Sequence, residues 1–463
     1  MHINSNKILF FILISHLILW TVIPSIFNTN LPLDTIEALA WGNELKLGYN
    51  KYPPIFPLFT EFFYKIFGNQ DWAFYLLSQI FVISSFLIIF NFSKYFLENN
   101  THSLISVLLL ETIYFFNYTT PELNAFIPLF LFLATTALFC WRAINFNKNL
   151  DWIMFGFFAG ISTLTYYLSL YFLASLGIFF LSEIISKKKF NYKYFYTLIS
   201  YLLILSPHLY FILLQDSASI KYALFRSFGD PLSGLSQITL LDHLLYPLIF
   251  LIKQLFILLP LLIFLRLVLN NFKTSFDMKD KKFLYLFTIT FLPIILMFLT
   301  SVLGGVRIRT MWMTTFYIFP GVFFVYLFSA QIQIQKFKKF FTFFLLFFLI
   351  LPIVYGLDSF IQKDKRTDYP GQKISKEVQS TWDKNFSNKI EYVIGEGWVY
   401  GGWYAGNLSY HLKNRPKLMY YINDKISNYG FIRIDELNSI ESCDGVFLKI
   451  EPYFDSCLVG SNK

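Results

Sequence analysis

Residues 33–54 read LDTIEALAWGNELKLGYNKYPP, a short polar stretch that directly follows the first long apolar segment of the chain. Asp34 and Glu37 lie three residues apart, so both carboxylates lie on the first turn if Asp34 opens a short helix. Two carboxylates beside an apolar segment are typical of acid–base chemistry at a membrane surface. The alternative is that Asp34 only caps the helix, which is a common role of aspartate.

The same stretch ends in a pair of prolines. Pro53 and Pro54 directly follow Lys51 and Tyr52. A proline fixes its own backbone and disfavours a helical conformation for the residue before it, so the pair predicts an extended or turned segment. We expect this turn to fold the polar stretch back onto the membrane from which it emerges.

The chain around this stretch is strongly apolar. Of its 463 residues, 56% are hydrophobic and 21% are aromatic, while only 14% are charged. Soluble domains have roughly 45–50% apolar residues even when glycine is counted, so the sequence predicts a polytopic protein embedded in a lipid bilayer. The net charge of +9 is typical of basic loops on the cytoplasmic face, and no nucleic-acid partner is predicted.

The predicted fold class is mainly α, because the apolar segments have the length of membrane-spanning helices. A spanning helix needs about 20 mostly apolar residues, and by this criterion the chain has about eleven. The candidate spans cover residues 8–27, 72–97, 102–118, 125–144, 152–167, 169–186, 195–214, 245–268, 283–302, 311–330 and 340–357. The first is too long for a signal peptide and lacks an A-x-A motif, so we interpret it as an uncleaved span.

Lysine and arginine are distributed unevenly over the loops. Lys7 precedes the first span, and the loops after the fourth, sixth, eighth and tenth spans are basic. These loops contain Arg142, Lys148, Lys187, Lys188, Lys189, Lys193, Lys273, Lys279, Lys281, Lys282, Lys336, Lys338 and Lys339. Basic loops stay on the cytoplasmic side, which predicts a cytoplasmic N-terminus. An odd number of spans then places residues 33–54 and the C-terminal tail on the opposite side.

The tail differs from the rest of the chain, because it is charged, contains several glycines and is less apolar. Its patterns predict strands and one short helix. These elements cover residues 390–394, 404–412, 417–422 and 446–450. We therefore predict a transmembrane domain of residues 1–357 and a small extracytoplasmic α/β domain of residues 358–463.

Two of the three cysteines lie in this tail. Cys443 and Cys457 are a candidate disulfide if the compartment is oxidising. The alternative is two separate thiols, because the sequence does not give their geometry. Cys140 lies in an apolar run, where a cysteine usually packs as a small apolar side chain.

Further polar residues collect in the loops of the predicted outer face. Glu122 and Asn124 belong to the turn TTPELN, and Arg307 and Arg309 belong to the loop before the tenth span. Two arginines suit a phosphate or pyrophosphate, because each guanidinium group can donate two parallel hydrogen bonds to phosphate oxygens. The alternatives are arginines that only reach the membrane interface and a Glu122 that caps a loop or forms an ion pair.

Several catalytic motifs are missing from the sequence. It contains no HExxH, CxxC, Walker or GxSxG motif, which argues against a zinc protease, an ATPase and a serine hydrolase. His208 follows Pro207 inside a predicted span and is interpreted as a histidine whose bonds are satisfied within the bundle. No cofactor is firmly predicted, and the sequence leaves a divalent metal open.

The chain resembles the GT-C family of membrane glycosyltransferases that contains the bacterial aminoarabinose transferase and the protein O-mannosyltransferases. Five stretches carry this resemblance and together extend across most of the chain. They are LPLDTIEALAWGNELKLGYNKYPP at 31–54, TTPELN at 119–124, DHLLYPLIFLIKQLFILLP at 242–260, RIRTMWMTTFYIFPG at 307–321 and GWVYGGWYAGNLSYHL at 397–412. The first stretch is the most specific of the five.

The resemblance implies an integral enzyme of the bacterial inner membrane whose site faces the periplasm. The family's catalytic aspartate carries over to Asp34, and Glu37 matches a second acidic position in close relatives. Glu122 and Asn124 match an acidic-x-Asn turn, which implies contact with the acceptor or support for the site. The family's donor is a sugar on a polyprenyl phosphate, and the acceptor here is a glycolipid, a polysaccharide or a protein of the cell envelope.

The resemblance also implies where the donor phosphate binds. Lys51 and Tyr52 occupy the segment before the prolines, where relatives often have Lys-His or Glu-Lys, so Tyr52 is a departure from the family pattern. Arg307 and Arg309 are the other cations on the predicted outer face. Glycosyl transfer passes through an oxocarbenium-like state with a phosphate leaving group, and such cations offset its charge.

Two other classes of function stay open at this point. A transporter or flippase of lipid-linked glycans would need polar or broken helices in the middle of the membrane. A scaffold protein without catalysis would use Asp34 only as a helix cap. Charges within the predicted spans are sparse and the polar groups lie in outer loops, which favours the glycosyltransferase.

Overall fold

A computed structural model describes residues 4–49, 51–214, 220–222, 238–272, 277–420, 430–440 and 442–461. Within these residues the protein is a bundle of long helices with one small sheet near the C-terminus. This architecture confirms the predicted mainly α membrane fold with a small C-terminal α/β domain.

Fifteen α-helices are described, and we number them in chain order. They are α1 Ser5–Phe27, α2 Leu33–Gly42, α3 Ile55–Phe67, α4 Asp71–Ser93, α5 Asn100–Leu110, α6 Phe126–Phe146, α7 Asn149–Thr165, α8 Ser169–Lys187, α9 Tyr194–Leu214, α10 Asp242–Val268, α11 Lys281–Gly304, α12 Pro320–Leu327, α13 Phe337–Ile361, α14 Gly371–Asn385 and α15 Gly406–His411. Short 3₁₀-helices precede several of them, and a π-helix covers Gly397–Ala405.

Most of the predicted spans correspond to long apolar helices. In the described part of the chain, 8 helices are long and apolar enough to cross a membrane, or up to 9 if Thr310–Tyr317 and Pro320–Leu327, bent by 53°, form one span. This count rests on length and composition in the described residues alone, so about eleven spans stays a prediction. Helix α5 has 11 residues and α7 has 17, which gives lengths of roughly 16 and 26 Å against a hydrocarbon core of about 30 Å. Counting apolar residues did not reveal where these helices end.

Close packing of α7 against α9 depends on two glycines one turn apart. A Cβ atom on Gly156 would lie 2.2 Å from the carbonyl oxygen of Thr197, and one on Gly160 would lie 2.8 Å from the Cβ of Ile204. Small residues at this spacing let membrane helices approach each other, since apolar side chains gain little by leaving lipid. The contact between α7 and α9 thereby holds the end of α7, which leads into one wall of the site described below.

The sheet lies in the C-terminal region and has five strands, β1 Tyr392–Gly395, β2 Lys417–Met419, β3 Phe431–Asp435, β4 Val446–Ile450 and β5 Phe454–Val459. Their order is β2-β1-β3-β5-β4. Strand β1 runs parallel to β2 and β3, whereas β5 pairs antiparallel with β3 and β4. The sequence patterns predicted β1, β2 and β4 but missed β3 and β5. The predicted boundary at residue 357 falls inside the last turns of α13, and the division into two domains stays a prediction.

The C-terminal region is docked directly on helix α2. Arg415 forms an ion pair of 2.7 Å with Glu61, and its guanidinium also donates to the Leu39 carbonyl oxygen at 2.6 Å. Asn30, just before α2, donates to Asn407 at 2.7 Å. These buried contacts hold α2 between the bundle and the tail, so its orientation depends on both.

Candidate functional site

Helix α2 begins at Leu33, with Pro32 in the N-cap position and no side-chain capping bond. Pro32 has an extended backbone with a φ of -60°, which suits the residue preceding the first helical turn. Asp34 is therefore the second residue of the helix and does not cap it. The interpretation of Asp34 as a mere helix cap does not describe this structure.

Lys51 joins the two carboxylates of α2. Its Nζ lies 2.9 Å from Oδ1 of Asp34 and 2.6 Å from Oε2 of Glu37. The side chains are only 10%, 10% and 1% exposed for Lys51, Asp34 and Glu37. Burial alone would lower the pKa of Lys51, but the Asp34 and Glu37 charges raise it above its usual value. The ammonium therefore stays protonated.

These groups lie at a cavity of about 530 Å³. Its walls come from the start of α2, the 51–52 segment, the turns before α6 and α8, the end of α11 and the segment that follows it. The lining residues are Leu33, Asp34, Lys51, Tyr52, Glu122, Phe126, Tyr166, Tyr167, Leu168, Leu170, Tyr171, Tyr222, Met297, Thr300, Val306, Ile308, Arg309, Met311, Trp312 and Arg366. The lining is mostly apolar, with a few ionisable groups that converge on one space, as in many ligand sites.

Tyr52 belongs to an aromatic wall of the cavity. Its ring centroid lies 4.9 Å from the Lys51 ammonium and 5.6 Å from the ring of Tyr166. The Trp41 ring also packs against it, edge to face, at 5.8 Å. The face of an aromatic ring attracts a cation, so Tyr52 supports the position of Lys51 as well as lining the cavity.

Glu122 faces the same cavity from the turn before α6. Burial, and then the charge of Asp34, raise the pKa of Glu122 to about 7, against the opposing effect of Arg366 and Lys51. The hydroxyl of Thr35 on α2 donates to the Leu123 carbonyl oxygen at 2.8 Å. This bond ties the turn to α2, so Glu122 and Asp34 hold their relative positions.

Asn124 has a different role from Glu122. It does not line the cavity, and its Oδ1 accepts a hydrogen bond of 3.0 Å from the backbone N–H of Phe126, the first residue of α6. It therefore stabilises the start of α6 and the turn that carries Glu122. This contact supports the predicted supporting role rather than direct contact with a substrate.

The two predicted arginines separate in the structure. Arg309 lines the cavity, and its guanidinium lies 6.0 Å from the ring centroid of Trp312. Both arginines are exposed, but Arg307 is not among the lining residues. The structure thus brings Arg309 to Asp34 and Lys51 but leaves Arg307 outside the cavity.

Sequence reasoning missed Arg366 and Tyr167. Arg366 lies at the beginning of the tail and lines the cavity, and a basic residue after the last span was its only signal in the sequence. The Tyr167 hydroxyl lies 2.7 Å from Nε2 of His208, whose Nδ1 lies 2.7 Å from the Leu47 carbonyl oxygen. Both ring nitrogens of His208 have partners, which agrees with its interpretation as a satisfied histidine.

Two further features concern metals and cysteines. Within the described residues, no group of three or more histidine, cysteine, aspartate or glutamate side chains is close enough to hold a metal ion. Cys443 and Cys457 are joined by a disulfide with a Cα–Cα distance of 5.6 Å. The bridge links β5 to the segment before β4 and lies apart from the cavity.

Comparison with known proteins gives one sequence match and two informative structures. The family model for dolichyl-phosphate-mannose-protein mannosyltransferase matches residues 51–211, a little over a third of the chain. None of the curated proteins matches the chain in sequence. Apo ArnT from Cupriavidus metallidurans has a TM-score of 0.52 at 10% identity, with 98% of both chains covered. ArnT from the same organism bound to undecaprenyl phosphate has a TM-score of 0.49 at 9% identity, covering 89% of this chain and 86% of that one.

The apo ArnT match extends over almost the full length of both chains. At this low identity it concerns the fold, and the family match adds an independent sequence signal over α3 to α9. Together they confirm the predicted GT-C-like fold and the resemblance stated from the sequence.

Proposed function

We propose that this chain, which has the GT-C fold of membrane glycosyltransferases, transfers a sugar from a polyprenyl-phosphate donor to an acceptor hydroxyl. One observation carries the proposal. The cavity brings a carboxylate of α2, Asp34, together with the cations Lys51, Arg309 and Arg366. A base for the attacking hydroxyl and cations for a phosphate leaving group are the two requirements of this reaction.

The reaction assigns a separate task to each group. The acceptor oxygen attacks the anomeric carbon of the sugar, and the bond from that carbon to the phosphate oxygen breaks. Asp34 accepts the hydroxyl proton, and the polyprenyl phosphate leaves with one additional negative charge. Arg309 and Arg366 offset this charge, because guanidinium groups suit phosphate oxygens.

Lys51 and Glu37 position the base. The 2.9 Å and 2.6 Å contacts of Lys51 hold Asp34 and Glu37 in one arrangement. Glu37 is the more deeply buried of the two carboxylates. We therefore assign Glu37 to orienting Lys51, and we assign Asp34 to proton transfer. Tyr52 contributes to the aromatic wall of the cavity beside Lys51.

Glu122 lies on the acceptor side of this arrangement. With a pKa of about 7, it is roughly half protonated at neutral pH and can both donate and accept a hydrogen bond. It thereby orients a sugar or phosphate hydroxyl of the acceptor. The dolichyl-phosphate-mannose description and the undecaprenyl-phosphate complex of the similar proteins are consistent with a lipid-phosphate donor here.

We further propose that the cavity and the C-terminal region face the periplasm of a bacterial inner membrane. The basic loops cluster at the opposite end of the bundle, and basic loops mark the cytoplasmic side. A reporter fused after Lys463 should be active when it requires an extracytoplasmic environment. Activity of a reporter that functions only in the cytoplasm would reject this orientation.

A flippase is the weaker proposal. A transporter of this size would bind its cargo at half-helix ends near the middle of the membrane. The ionisable residues of the cavity come from helix ends and connecting segments, such as the start of α2 and the turn before α6. That location suits a reaction at the membrane surface.

The test replaces Asp34 and follows transfer. Asp34→Asn keeps the size of the side chain but removes the base, so transfer from a panel of polyprenyl-phosphate sugars into membranes should fall by a factor on the order of 10²–10⁴. The matched control is Asp71→Asn at the start of α4, which is outside the cavity lining and accepts a hydrogen bond from Tyr410.

The readout is mass analysis of cell-envelope glycans in cells that lack the protein and are complemented with each variant. A glycan should depend on the wild type and on Asp71→Asn, and should be lost with Asp34→Asn. Near wild-type transfer by Asp34→Asn would overturn the mechanism. Identical glycans with and without the protein would overturn the proposed function itself.

A further inference from the structure

A second polar cavity lies at the opposite end of helix α8 from the candidate site. It measures about 430 Å³, and its lining includes Lys187, Lys189, Lys281 and Glu183. The beginning of α8 carries Leu170 and Tyr171 of the candidate site, whereas its end carries the lysines. With 19 residues, α8 is roughly 28 Å long, close to the thickness of a bilayer core. The two cavities therefore face opposite membrane surfaces.

An apolar groove of about 410 Å³ continues from this basic cavity between α7, α8 and α9. Trp152, Phe180 and Tyr194 line both spaces. The groove is otherwise lined mainly by apolar side chains such as Phe155 and Leu176. It extends along these three helices, so the basic cavity leads into an apolar groove.

The rim of the basic cavity is held by hydrogen bonds to Asn147. Its Oδ1 accepts from Trp152 Nε1 and from Asn191 Nδ2, each at 3.0 Å. Its carbonyl oxygen accepts from the Lys193 ammonium at 2.6 Å. These bonds fix Trp152, which lines both spaces, and join the start of α7 to the segment before α9.

The charge of the basic cavity is positive. Glu183 forms an ion pair with Lys187, so the charges of Lys189 and Lys281 remain in excess among the lining residues. Lys281 also lies 5.9 Å from the ring centroid of Trp141. The cavity thus offers two net positive charges beside an apolar groove, which is complementary to an anionic headgroup with an attached hydrocarbon chain.

We propose that this composite site binds an anionic phospholipid, with the phosphate headgroup in the basic cavity and one acyl chain in the groove. Basic pockets between membrane helices on the side of basic loops suit anionic lipid headgroups. The groove favours a lipid over a soluble phosphate, because a soluble phosphate leaves the apolar space unfilled.

The experiment measures lipid binding to the purified full chain in neutral detergent. The probes are phosphatidylglycerol, zwitterionic phosphatidylethanolamine and soluble glycerol 3-phosphate, followed by native mass spectrometry across a concentration series. Phosphatidylglycerol should bind at least ten-fold more tightly than the other two.

Two kinds of variant test the two halves of the site. Lys189→Gln with Lys281→Gln should weaken phosphatidylglycerol binding roughly 30-fold, since each lysine near an anionic lipid is worth about 1 kcal/mol, or about five-fold. The matched control is Lys338→Gln with Lys339→Gln, two exposed lysines at the start of α13 that lie outside the cavity lining.

Gly177→Leu tests the groove. A Cβ atom at Gly177 meets no heavy atom within 4 Å, so the leucine should fit the folded protein and fill the groove. It should weaken phosphatidylglycerol binding several-fold and leave the melting temperature unchanged or higher, because glycine is a poor helix former. Equal binding of phosphatidylethanolamine, or tight glycerol 3-phosphate binding that Gly177→Leu does not affect, would overturn the proposal.

Discussion

Lysines occur at both ends of this bundle, but their surroundings differ. At the candidate site, Lys51 is 10% exposed and contacts two buried carboxylates. At the opposite end, Lys187 is 57% exposed and pairs with Glu183. A buried ammonium between two carboxylates is part of a fixed arrangement, because removing one member leaves an uncompensated charge. An exposed pair exchanges readily with water and salt, which suits a surface that binds and releases an anionic lipid.

The largest expected difference between the two ends concerns stability. Lys51→Met leaves Asp34 and Glu37 buried together without their cation, so the free energy of unfolding should fall by about 3–5 kcal/mol at neutral pH. Lys187→Met removes an exposed pair and should cost less than about 1 kcal/mol. Thermal unfolding of both variants in detergent measures the difference.

The pH dependence of the stability lost in Lys51→Met gives a second check of the buried arrangement. Without Lys51, two like charges are buried side by side, and protonation of one of them in acid relieves the repulsion. The deficit of Lys51→Met relative to wild type should therefore shrink as the pH falls. An equal loss of stability in Lys51→Met at pH 5 and pH 8 would contradict the difference between the two ends of the bundle. Similar melting temperatures for Lys51→Met and Lys187→Met would contradict it as well.

The next effect separates Arg309 from Arg307, which are two residues apart. Arg309→Ala should raise the KM for the lipid-phosphate donor roughly ten- to a hundred-fold, because a hydrogen bond to a charged group contributes about 1.5–3 kcal/mol. Arg307→Ala should change it less than about three-fold, since Arg307 does not line the cavity. Equal effects of the two substitutions would mean that the donor phosphate binds outside this cavity.

The smallest effect is a pH dependence carried by Glu122. Because its pKa is raised to about 7, Glu122 keeps its proton up to near neutral pH and becomes negative above it. A negative Glu122 can no longer donate a hydrogen bond to the acceptor, so acceptor binding should weaken a few-fold as the pH rises from 6 to 8. Glu122→Gln stays neutral and should show a flat profile over this range. An unchanged pH profile in Glu122→Gln would exclude Glu122 as the titrating group.

Short-range features of the site were accessible from the sequence. The polar stretch at 33–54 stands out against apolar surroundings, and the spacing of Asp34 and Glu37 is local, so their place on one helix could be predicted. The partner of these carboxylates could not, because Lys51 is 17 and 14 residues away from them and reaches them only when the loop folds back. Arg366 is still more distant, and no local pattern connects it with α2.

The fold was likewise predictable in its local features but not in those that depend on distant contacts. Long apolar segments identified the long helices, because hydrophobic length is a direct physical requirement of a spanning helix. The ends of α5 and α7 depend on local backbone geometry and on neighbouring helices, so the predicted bounds 102–118 and 152–167 differ from the observed helix ends. Strands β3 and β5 were missed because their pairing within the sheet stabilises them more than their own sequence pattern indicates.

The late position of Arg366 and Arg415 in the chain has a consequence for biosynthesis. A ribosome adds roughly 5–20 residues per second, so about 15 to 70 seconds separate the synthesis of Asp34 from that of Arg366. During this interval α2 has neither the tail that holds it nor the second cavity arginine. In the proposed orientation, the nascent chain therefore moves its carboxylates across the membrane long before Arg366 can join them, and the cavity is complete only when the C-terminal region has folded.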